Sequence, residues 1–432
     1  MYTYIVRGGN KLNGSVRLKA AKNSVLALIA ASILTEDDVI LKNCPDLTDI
    51  ANKLKIVNSI GAKALCGGDD IFINARNARN TGMSAELART LRSSFVLLGP
   101  ILSRFKEAKI YLPGGCRIGQ RPVDIHLDAL EKLNVKITNH ETYLLCDARE
   151  MRGSGVTFKF PSVGATQNVM MAAVLAHGTT TIQNAAKEPE VVDLQNFLNA
   201  MGASVAGAGT GTIEINGVEK LHGAVYTPIS DRIVAGTLVL AAAACGGDLT
   251  INNACPHHLN ALFEILKDNY CEIEYSGDTI RVRSDGRLNA LGEIASEPYP
   301  FFPTDLQPQL TALAAVCLGN TGITEKIFEN RFGHIAELKK MGAKIYVDER
   351  ARTALVQGVD ALYGAEVSAC DLRCGASLVI AAMRAKGISV IHGVEYIDRG
   401  YENFEMMLRG LGADIVRVQE CKRKPLQKIF DK

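Results

Sequence analysis

Two kinds of helical pattern recur along the chain. Residues 234–244 are apolar on nearly every side, which predicts a helix that is buried all round. A second segment places Leu194, Phe197, Leu198 and Met201 on one stripe, with Asn and Gln residues opposite, which predicts a surface helix. Short apolar runs between the helices predict strands.

The same order of elements returns six times. Buried, Ala-rich helices are predicted over residues 22–34, 86–105, 163–177, 231–245, 305–318 and 372–386. Each is followed by a predicted strand, over residues 38–42, 108–112, 179–184, 248–253, 322–328 and 388–393. A surface helix and a pair of strands complete each unit.

The ends of the surface helices mark the period most clearly. They fall at positions 61, 134, 202, 270, 342 and 412, which lie 68 to 73 residues apart. Four of these positions are Gly, which suits the left-handed end of a helix, and Asn134 tolerates that conformation. Tyr270 fits it poorly, so we expect the fourth unit to end its helix differently.

These patterns predict an α/β protein built from six β-α-β-α-β-β units. A chain of 432 residues is too long for one ordinary core. Three units that share their buried helices make one domain and six make two, with a seam near residues 228–230. Clefts between domains are where small ligands bind, so we expect the site there.

Composition narrows the classes of function. A net charge of +2 and the absence of Trp argue against nucleic-acid binding. The longest apolar stretch is too short for a membrane span, and the first residues lack the pattern of a signal peptide. Eleven Cys without a C-x-x-C pair indicate reduced thiols in a cytoplasmic protein, and we expect neither a metal nor a cofactor.

The residues that could carry chemistry lie in one loop and at several helix starts. Cys116 lies in the Gly- and Pro-rich segment 112–124 with Arg117 and Arg121 close after it, and a cationic surrounding makes a thiol reactive. An inert Cys in a surface loop is the alternative that chemistry alone leaves open.

Lys22 opens the first buried helix against the helix dipole, which indicates a bound anion unless the side chain extends to solvent. Asp231 and Asp305 open the fourth and fifth buried helices, where capping is the simpler role. Further cations stand at comparable places: Arg92, Arg373 and Arg399. This set suits a small anion with several charges.

Seven motifs resemble the UDP-N-acetylglucosamine 1-carboxyvinyltransferase family of enolpyruvyl transferases, across essentially the whole chain. They are Ala-Lys-Asn at 21–23, Pro-Gly-Gly-Cys-Arg-Ile-Gly at 113–119 with Arg-Pro-Val-Asp after it, Ser-Val-Gly-Ala-Thr at 162–166, Glu-Pro-Glu at 188–190, Phe-Pro-Thr-Asp at 302–305, Phe-Glu-Asn-Arg-Phe at 328–332 and Asp-Leu-Arg at 371–373. The resemblance implies a two-domain inside-out α/β barrel with the substrate cleft between the domains. It assigns residues 22–229 to one domain and residues 1–21 with 230–432 to the other.

The resemblance also implies the reaction. The enolpyruvyl group of phosphoenolpyruvate passes to the 3′-hydroxyl of UDP-N-acetylglucosamine and phosphate is released, the first committed step of peptidoglycan precursor synthesis. Cys116 is implied as the general acid and as the target of fosfomycin. Asp305 is implied as the base for the hydroxyl, or as the group that orients it.

Binding residues are implied in the same way. Lys22, Arg121 and Arg399 hold phosphoenolpyruvate, with Arg92 and Arg373 nearby, and Asn23 and Asp305 contact the sugar. The remaining residues implied at the UDP-sugar are Arg121, Pro122, Val123, Asp124, Ile125, Ser162, Val163, Gly164, Ile327 and Arg331. Phe160 departs from the Lys that some members have near the uridine.

Three alternatives stay open from sequence. The sister enzyme that makes 5-enolpyruvylshikimate-3-phosphate shares the donor but lacks the Cys loop. A non-catalytic paralogue would bind a UDP-sugar and regulate, and a repeat scaffold would bind proteins. We expect a monomer with a solvated basic tail after residue 420.

Overall fold

The computed structural model describes residues 2–79, 85–111, 123–267 and 269–419, without the side chains of Thr90 and Arg92. Cys116, Arg121, Pro122 and the basic tail therefore lie outside the described residues. The chain is a mixed α/β protein, and this part of the prediction is confirmed.

Short strands make up the sheets. Up to residue 226 they are β1 (Tyr2–Arg7), β2 (Leu12–Arg17), β3 (Asp38–Leu41), β4 (Lys63–Gly67), β5 (Asp70–Asn74), β6 (Glu107–Tyr111), β7 (Lys136–Asn139), β8 (Tyr143–Asp147), β9 (Gly155–Thr157), β10 (Thr179–Gln183), β11 (Ser204–Ala206), β12 (Thr212–Asn216) and β13 (Val225–Tyr226). After it they are β14 (Gly247–Asn252), β15 (Cys271–Ser276), β16 (Thr279–Ser284), β17 (Glu293–Ser296), β18 (Asn320–Glu325), β19 (Lys344–Asp348), β20 (Thr353–Gln357), β21 (Glu366–Ser368), β22 (Ile388–His392) and β23 (Asp414–Gln419).

Helices alternate with these strands. They are α1 (Lys22–Ala31), α2 (Thr48–Ser59), α3 (Ala85–Thr90), α4 (Leu98–Phe105), α5 (Asp124–Lys132), α6 (Val163–Ala173), α7 (Pro189–Ala200), α8 (Arg232–Cys245), α9 (Asn260–Leu266), α10 (Gln307–Ala314), α11 (Gly333–Lys340), α12 (Leu372–Arg384), α13 (Val394–Ile397) and α14 (Phe404–Gly410). In the described ranges, 3-10 turns accompany them at Ser32–Leu34, Arg92–Leu97, Pro256–Leu259 and Thr304–Leu306.

The described strands form six sheets with one shared order. In β4-β5-β3-β13 the first three strands are antiparallel neighbours and the fourth pairs parallel with the third. The orders β11-β12-β10-β9, β15-β16-β14-β2, β19-β20-β18-β17 and β23-β1-β22-β21 repeat that pattern. Within the described ranges, β7-β8-β6 has the three antiparallel strands alone.

Both N-terminal strands pair with strands from the second half of the chain. β1 lies between β22 and β23 and pairs antiparallel with each. In the other sheets the equivalent position holds a strand that is adjacent in sequence, such as β5 beside β4. β2 pairs parallel with β14 over six residue pairs. The first 17 residues are therefore tied to the second half of the chain.

The buried helices pack together inside each half. α8, α10 and α12 contact one another, and α4 packs against α6. Small residues allow this close approach: a Cβ on Gly99 would lie 2.3 Å from the Asn168 carbonyl oxygen. The Gly99 amide donates to Asn168 Oδ1 at 2.8 Å, so the contact is also hydrogen-bonded.

Two hydrophobic cores result. One draws its buried side chains from residues 20–221, and the other from residues 4–18 together with 233–415. Within the described residues, no helix is both long and apolar enough to cross a membrane.

Two predicted buried helices differ from the structure. The helix predicted over 86–105 is divided into α3, a 3-10 turn and α4, with Leu91 extended at φ −143°. Pro100 explains the late start of α4, because proline is tolerated only in the first turn of an α-helix. The helix predicted over 305–318 likewise begins at Gln307, just before Pro308, and ends at Ala314.

The helix-end positions behave as one class. Gly61, Asn134, Gly202, Gly342 and Gly412 all have positive φ, between 65° and 99°. Tyr270 also has a positive φ, at 54°, which is unfavourable for a residue with a bulky side chain. That side chain is 71% exposed. The fourth unit does end its helix differently, since α9 stops at Leu266.

Lys53 is a fully buried cation in α2. Its Nζ donates to the Ser93 carbonyl oxygen at 2.8 Å, and its side chain has 0% exposure. Burial lowers the pKa of Lys53 from 10.5 to about 7. The penalty for the buried ammonium is therefore full below pH 7 and fades as pH rises toward 10.5.

Replacing Lys53 with Met is expected to stabilise the protein at pH 6 by at least about 1 kcal/mol, since one pKa unit corresponds to about 1.4 kcal/mol. The gain should shrink as pH rises from 7 toward 10, where the folded wild type has already released the proton. Chemical denaturation at several pH values measures this, with exposed Lys55→Met in the same helix as the control. A gain independent of pH would contradict the buried-charge explanation.

Candidate active site

A cavity of about 660 Å³ lies between residues of the two cores. Its walls come from the starts of α1 and α6, the 3-10 turn Arg92–Leu97, and the segments 297–305 and 326–329. Eight of the predicted site residues line it: Asn23, Val123, Ile125, Ser162, Val163, Gly164, Asp305 and Ile327.

Asp231 joins the two halves beside this cavity. Its Oδ1 accepts hydrogen bonds from the amides of Ile233 and Val234, at 2.8 and 3.0 Å, and so caps α8. Its Oδ2 accepts from the Lys22 amide at 3.0 Å, at the start of α1. The Asp231 carboxylate therefore accepts hydrogen bonds from the first amides of both helices.

Asp49 gathers two of the predicted cations. Lys22 Nζ lies 3.3 Å from Asp49 Oδ2, and Arg399 Nε lies 2.9 Å from Oδ1. Asp49 is only 3% exposed and is contributed by α2, whereas Arg399 comes from the opposite end of the chain. Burial lowers the pKa of Lys22, while Asp49 acts in the opposite direction.

Asp305 binds two further predicted cations, Arg331 and Arg373. Arg331 Nη2 donates to Oδ1 and Arg373 Nη2 to Oδ2, both at 2.9 Å. Burial alone would raise the pKa of Asp305, but Arg373, Arg331 and Lys22 hold it well below its ordinary range. The capping role considered for Asp305 is wrong, because it sits in the 3-10 turn Thr304–Leu306 with its carboxylate turned to arginines.

Polar residues hold Arg373 in place. Its Nη1 donates to Tyr401 Oη at 3.3 Å, and Tyr401 Oη lies 2.8 Å from Thr237 Oγ1. Gln309 Nε2 donates to the same two oxygens. These contacts come from α8, α10 and the segment before α14, so the packed helices of the second half fix the guanidinium.

The two clusters form one cationic region. Arg373, Asp305 and Arg399 all influence the pKa of Lys22, which requires them to be near it. Four cations share the Asp49 and Asp305 carboxylates, and the Asp371 carboxylate lies 3.9 Å from Arg331. Such a region, largely shielded from water, binds a small anion with several negative charges.

Other predicted residues are placed differently. Asp124 begins α5 with an exposed side chain and is absent from the cavity lining. Arg331 and Arg373 lie behind Asp305 rather than in the lining. Arg92 contributes only its backbone to the description, and the positions of Cys116, Arg121 and Pro122 are not described.

The structure adds residues that sequence reasoning missed. Asp49 stands in the first turn of α2, where an acidic residue is ordinary, so nothing in the sequence marked it. Tyr401 stands two residues after Arg399, and nothing in the sequence marks it as a partner of Arg373. Arg232 begins α8 next to Asp231, and its position in the sequence does not indicate its partner Glu190.

Arg232 and Glu190 form a buried ion pair at one end of the cavity. Arg232 Nε and Nη2 donate to the two Glu190 carboxylate oxygens at 3.1 and 3.2 Å. The guanidinium carbon lies 5.5 Å from the centre of the Tyr299 ring. Nearby, burial raises the pKa of Glu188, whose Oε1 accepts from the Tyr299 amide. This pair crosses between the two cores and fixes that end of the cavity.

Comparisons with known proteins agree with this geometry. The family model described as EPSP synthase (3-phosphoshikimate 1-carboxyvinyltransferase) matches residues 6–408. The UDP-N-acetylglucosamine 1-carboxyvinyltransferase 2 of Caldanaerobacter subterraneus subsp. tengcongensis is 47% identical, over 97% of this chain and 100% of that protein. The UDP-N-acetylglucosamine 1-carboxyvinyltransferase of Koribacter versatilis is 46% identical, over 97% of each chain.

Solved structures resemble the fold as well. The enolpyruvyl transferase NikO from Streptomyces tendae matches 96% of this chain and 98% of its own, with a TM-score of 0.85 and 26% identity. An EPSP synthase from Acinetobacter baumannii matches 97% of this chain and 100% of its own, with a TM-score of 0.73 and 19% identity, and shares the fold. The chain belongs to the EPSP synthase family of enolpyruvyl transferases and groups within it with the UDP-N-acetylglucosamine 1-carboxyvinyltransferases.

Proposed function

We propose that this protein transfers the enolpyruvyl group of phosphoenolpyruvate to the 3′-hydroxyl of UDP-N-acetylglucosamine and releases phosphate. One observation carries the proposal: four cations share two carboxylates beside a cavity between the halves. The names of relatives at 43–47% identity support the same substrates. In this role the protein performs the first committed step of peptidoglycan precursor synthesis.

Phosphoenolpyruvate binds, in this proposal, at Lys22, Arg373 and Arg399, with Arg92 and Arg121 completing the site. Asp49 is buried behind Lys22 and Arg399 and holds them without facing the ligand. Fixed cations of this kind stabilise charge without reorganising during the reaction. Both the carboxylate and the phosphate of the substrate then find partners.

The UDP-sugar occupies the larger cavity. The first residues of α6, Val163 and Gly164, line it, and free amides at a helix N-terminus attract a diphosphate. Val123, Ile125 and Phe160 provide apolar wall for the uracil ring. Asn23 and Asp305 face the sugar, with Ile327 and Arg331 beside them.

The chemistry is addition followed by elimination. Cys116 gives a proton to the methylene carbon of phosphoenolpyruvate as the sugar oxygen attacks the adjacent carbon. That carbon becomes tetrahedral and carries both the sugar oxygen and the phosphate. Phosphate then leaves, and the methyl carbon gives up a proton. Asp305 accepts the hydroxyl proton or orients the hydroxyl. With both arginines bound to it, Asp305 is a weak base, and a substrate anion that draws Arg373 away makes it a stronger one.

The architecture proposed for this function is the two-domain inside-out α/β barrel of six units. Domain boundaries at 22–229, and at 1–21 with 230–432, are supported by the two separate cores and the pairing of β1 and β2. A cytoplasmic location is supported by the nine free thiols among the described cysteines. We propose that the protein acts as a monomer.

The sister reaction on a shikimate phosphate is the weaker candidate. The relatives named for the UDP-sugar reaction share 43–47% identity, whereas the compared EPSP synthase shares 19%. A silent UDP-sugar binder has no need for a proton donor together with a cationic donor site.

Phosphate release tests the reaction directly. We expect release from phosphoenolpyruvate only when UDP-N-acetylglucosamine is added, and loss of release after treatment with fosfomycin. Shikimate 3-phosphate serves as the control acceptor and should give none. Release with shikimate 3-phosphate, or no release with either acceptor, would refute the proposed substrate.

Replacing Cys116 with Ser is expected to reduce turnover by about 10²-fold or more, because a positioned general acid contributes about 10²–10⁴-fold. The affinity for UDP-N-acetylglucosamine, measured by calorimetry, should stay near that of the wild type. Weakened UDP-sugar binding in this variant would contradict a role confined to proton transfer.

Asp49→Asn should raise the KM for phosphoenolpyruvate and lower kcat/KM by about 10–100-fold, because Lys22 and Arg399 lose their shared anchor. The affinity for the UDP-sugar should change little. Asp69→Asn is a matched control. Asp69 lies in the same half as Asp49, but its side chain is exposed and binds Lys19. Equal losses for both substrates would indicate general damage rather than a positioning role.

A further inference from the structure

Two thiols flank the first turn of α12, close to the cationic region. The Cys370 amide donates a hydrogen bond to Cys374 Sγ at 3.5 Å. Cys370 is half-buried and Cys374 is buried, next to each other on the rim of the second half. The segment between them contains Asp371 and Arg373.

We propose that Cys370 and Cys374 are a reversible oxidation site, at which a disulfide closes a ring around Asp371 and Arg373. The proposed enolpyruvyl transfer does not use either thiol. The consequence for activity rests on that proposed function, whereas the formation of the bond does not.

The two sulfurs have different roles in the bond-forming reaction. The neighbouring Cys374 side chain lowers the pKa of Cys370, whereas the Cys370 side chain and burial raise the pKa of Cys374. Cys370 is therefore the better nucleophile and the more exposed one. Its sulfur attacks hydrogen peroxide, giving a sulfenic acid and one water. Cys374 then attacks that sulfur, the S–S bond forms and a second water leaves. A dithiol reductant returns both thiols.

The surroundings leave room for the sulfur of Cys370. It lies against Gly333, where a Cβ would come within 2.9 Å of it. It also approaches Asp371 Oδ2 at 3.7 Å. Any larger residue at position 333 would compete for this space.

Oxidation must act on the site through Asp371. Asp371 Oδ1 accepts from the amides of Arg373 and Cys374, at 2.8 and 3.1 Å, and so caps α12. A disulfide brings the two Cβ atoms to about 3.8 Å, which closes a five-residue ring over this cap. The backbone of Arg373 lies inside the ring, and its guanidinium is the group that binds Asp305. We expect the oxidised ring to shift that guanidinium and weaken the donor site.

Tryptic mapping tests the bond itself. Trypsin cleaves after Arg373, so the two cysteines fall in separate peptides, 353–373 and 374–384. After mild hydrogen peroxide and alkylation under denaturing conditions, these peptides should be found joined, and dithiothreitol should separate them. Cys374→Ser should abolish the joined species, and Cys255→Ser, another half-buried thiol, should leave it. Two fully alkylated peptides, or a link between Cys44 and Cys66 instead, would overturn the proposal.

Activity tests the consequence. Cys116 is also open to peroxide, so the comparison is between the wild type and Cys370→Ser under identical treatment. The wild type should lose roughly ten times more kcat/KM than Cys370→Ser, and dithiothreitol should restore that difference, since small displacements of a binding group have large effects. Joined peptides with equal losses in both proteins would refute control of the site. Failure of the untreated enzyme to release phosphate would bear only on the proposed function.

Discussion

The carboxylate of Asp231 connects the starts of two buried helices from opposite halves, and the arrangement of the site depends on it. One oxygen caps α8, and the other accepts from the Lys22 amide at the start of α1. Both helix N-termini carry partial positive charge, so a single buried anion satisfies the two together. The start of α1 then directs Lys22 to Asp49, and the start of α8 directs Arg232 to Glu190.

The site is held together by opposite charges taken out of water. Removing one member of such a pair is costly, because the remaining charge stays buried without a partner. Asp49 and Asp305 each bind two cations, so the cations are fixed before a ligand arrives. The same cations are available to pair with the charged groups of an anionic ligand. Stability and affinity thus depend on the same few contacts.

Much of the fold and part of the site could be predicted from the sequence. The period near 70 residues located the helix ends, and even Tyr270 adopts the conformation of the glycines at that position. One helix prediction was wrong in its continuity. The apolar composition of residues 86–105 predicts a single helix, but Pro100 permits α4 to begin only at Leu98. Helix starts and family motifs make Lys22, Asp305, Arg373 and Arg399 candidates, and the structure joins them in ion pairs with Asp49 or with each other. Asp49 could not be, because its importance arises from a partner 350 residues away in sequence.

The position of β1 has a consequence for how this chain is made. In the sheet β23-β1-β22-β21, the inner strand β1 is synthesised before the other three strands, and β2 is likewise synthesised before its partner β14. During synthesis these two strands remain unpaired while residues 20–221, which form a separate core, are made. The second half completes its sheets only when β1 pairs with β22 and β23, and β2 pairs with β14. A chain that stops before β22 therefore leaves β1 without either of its partner strands.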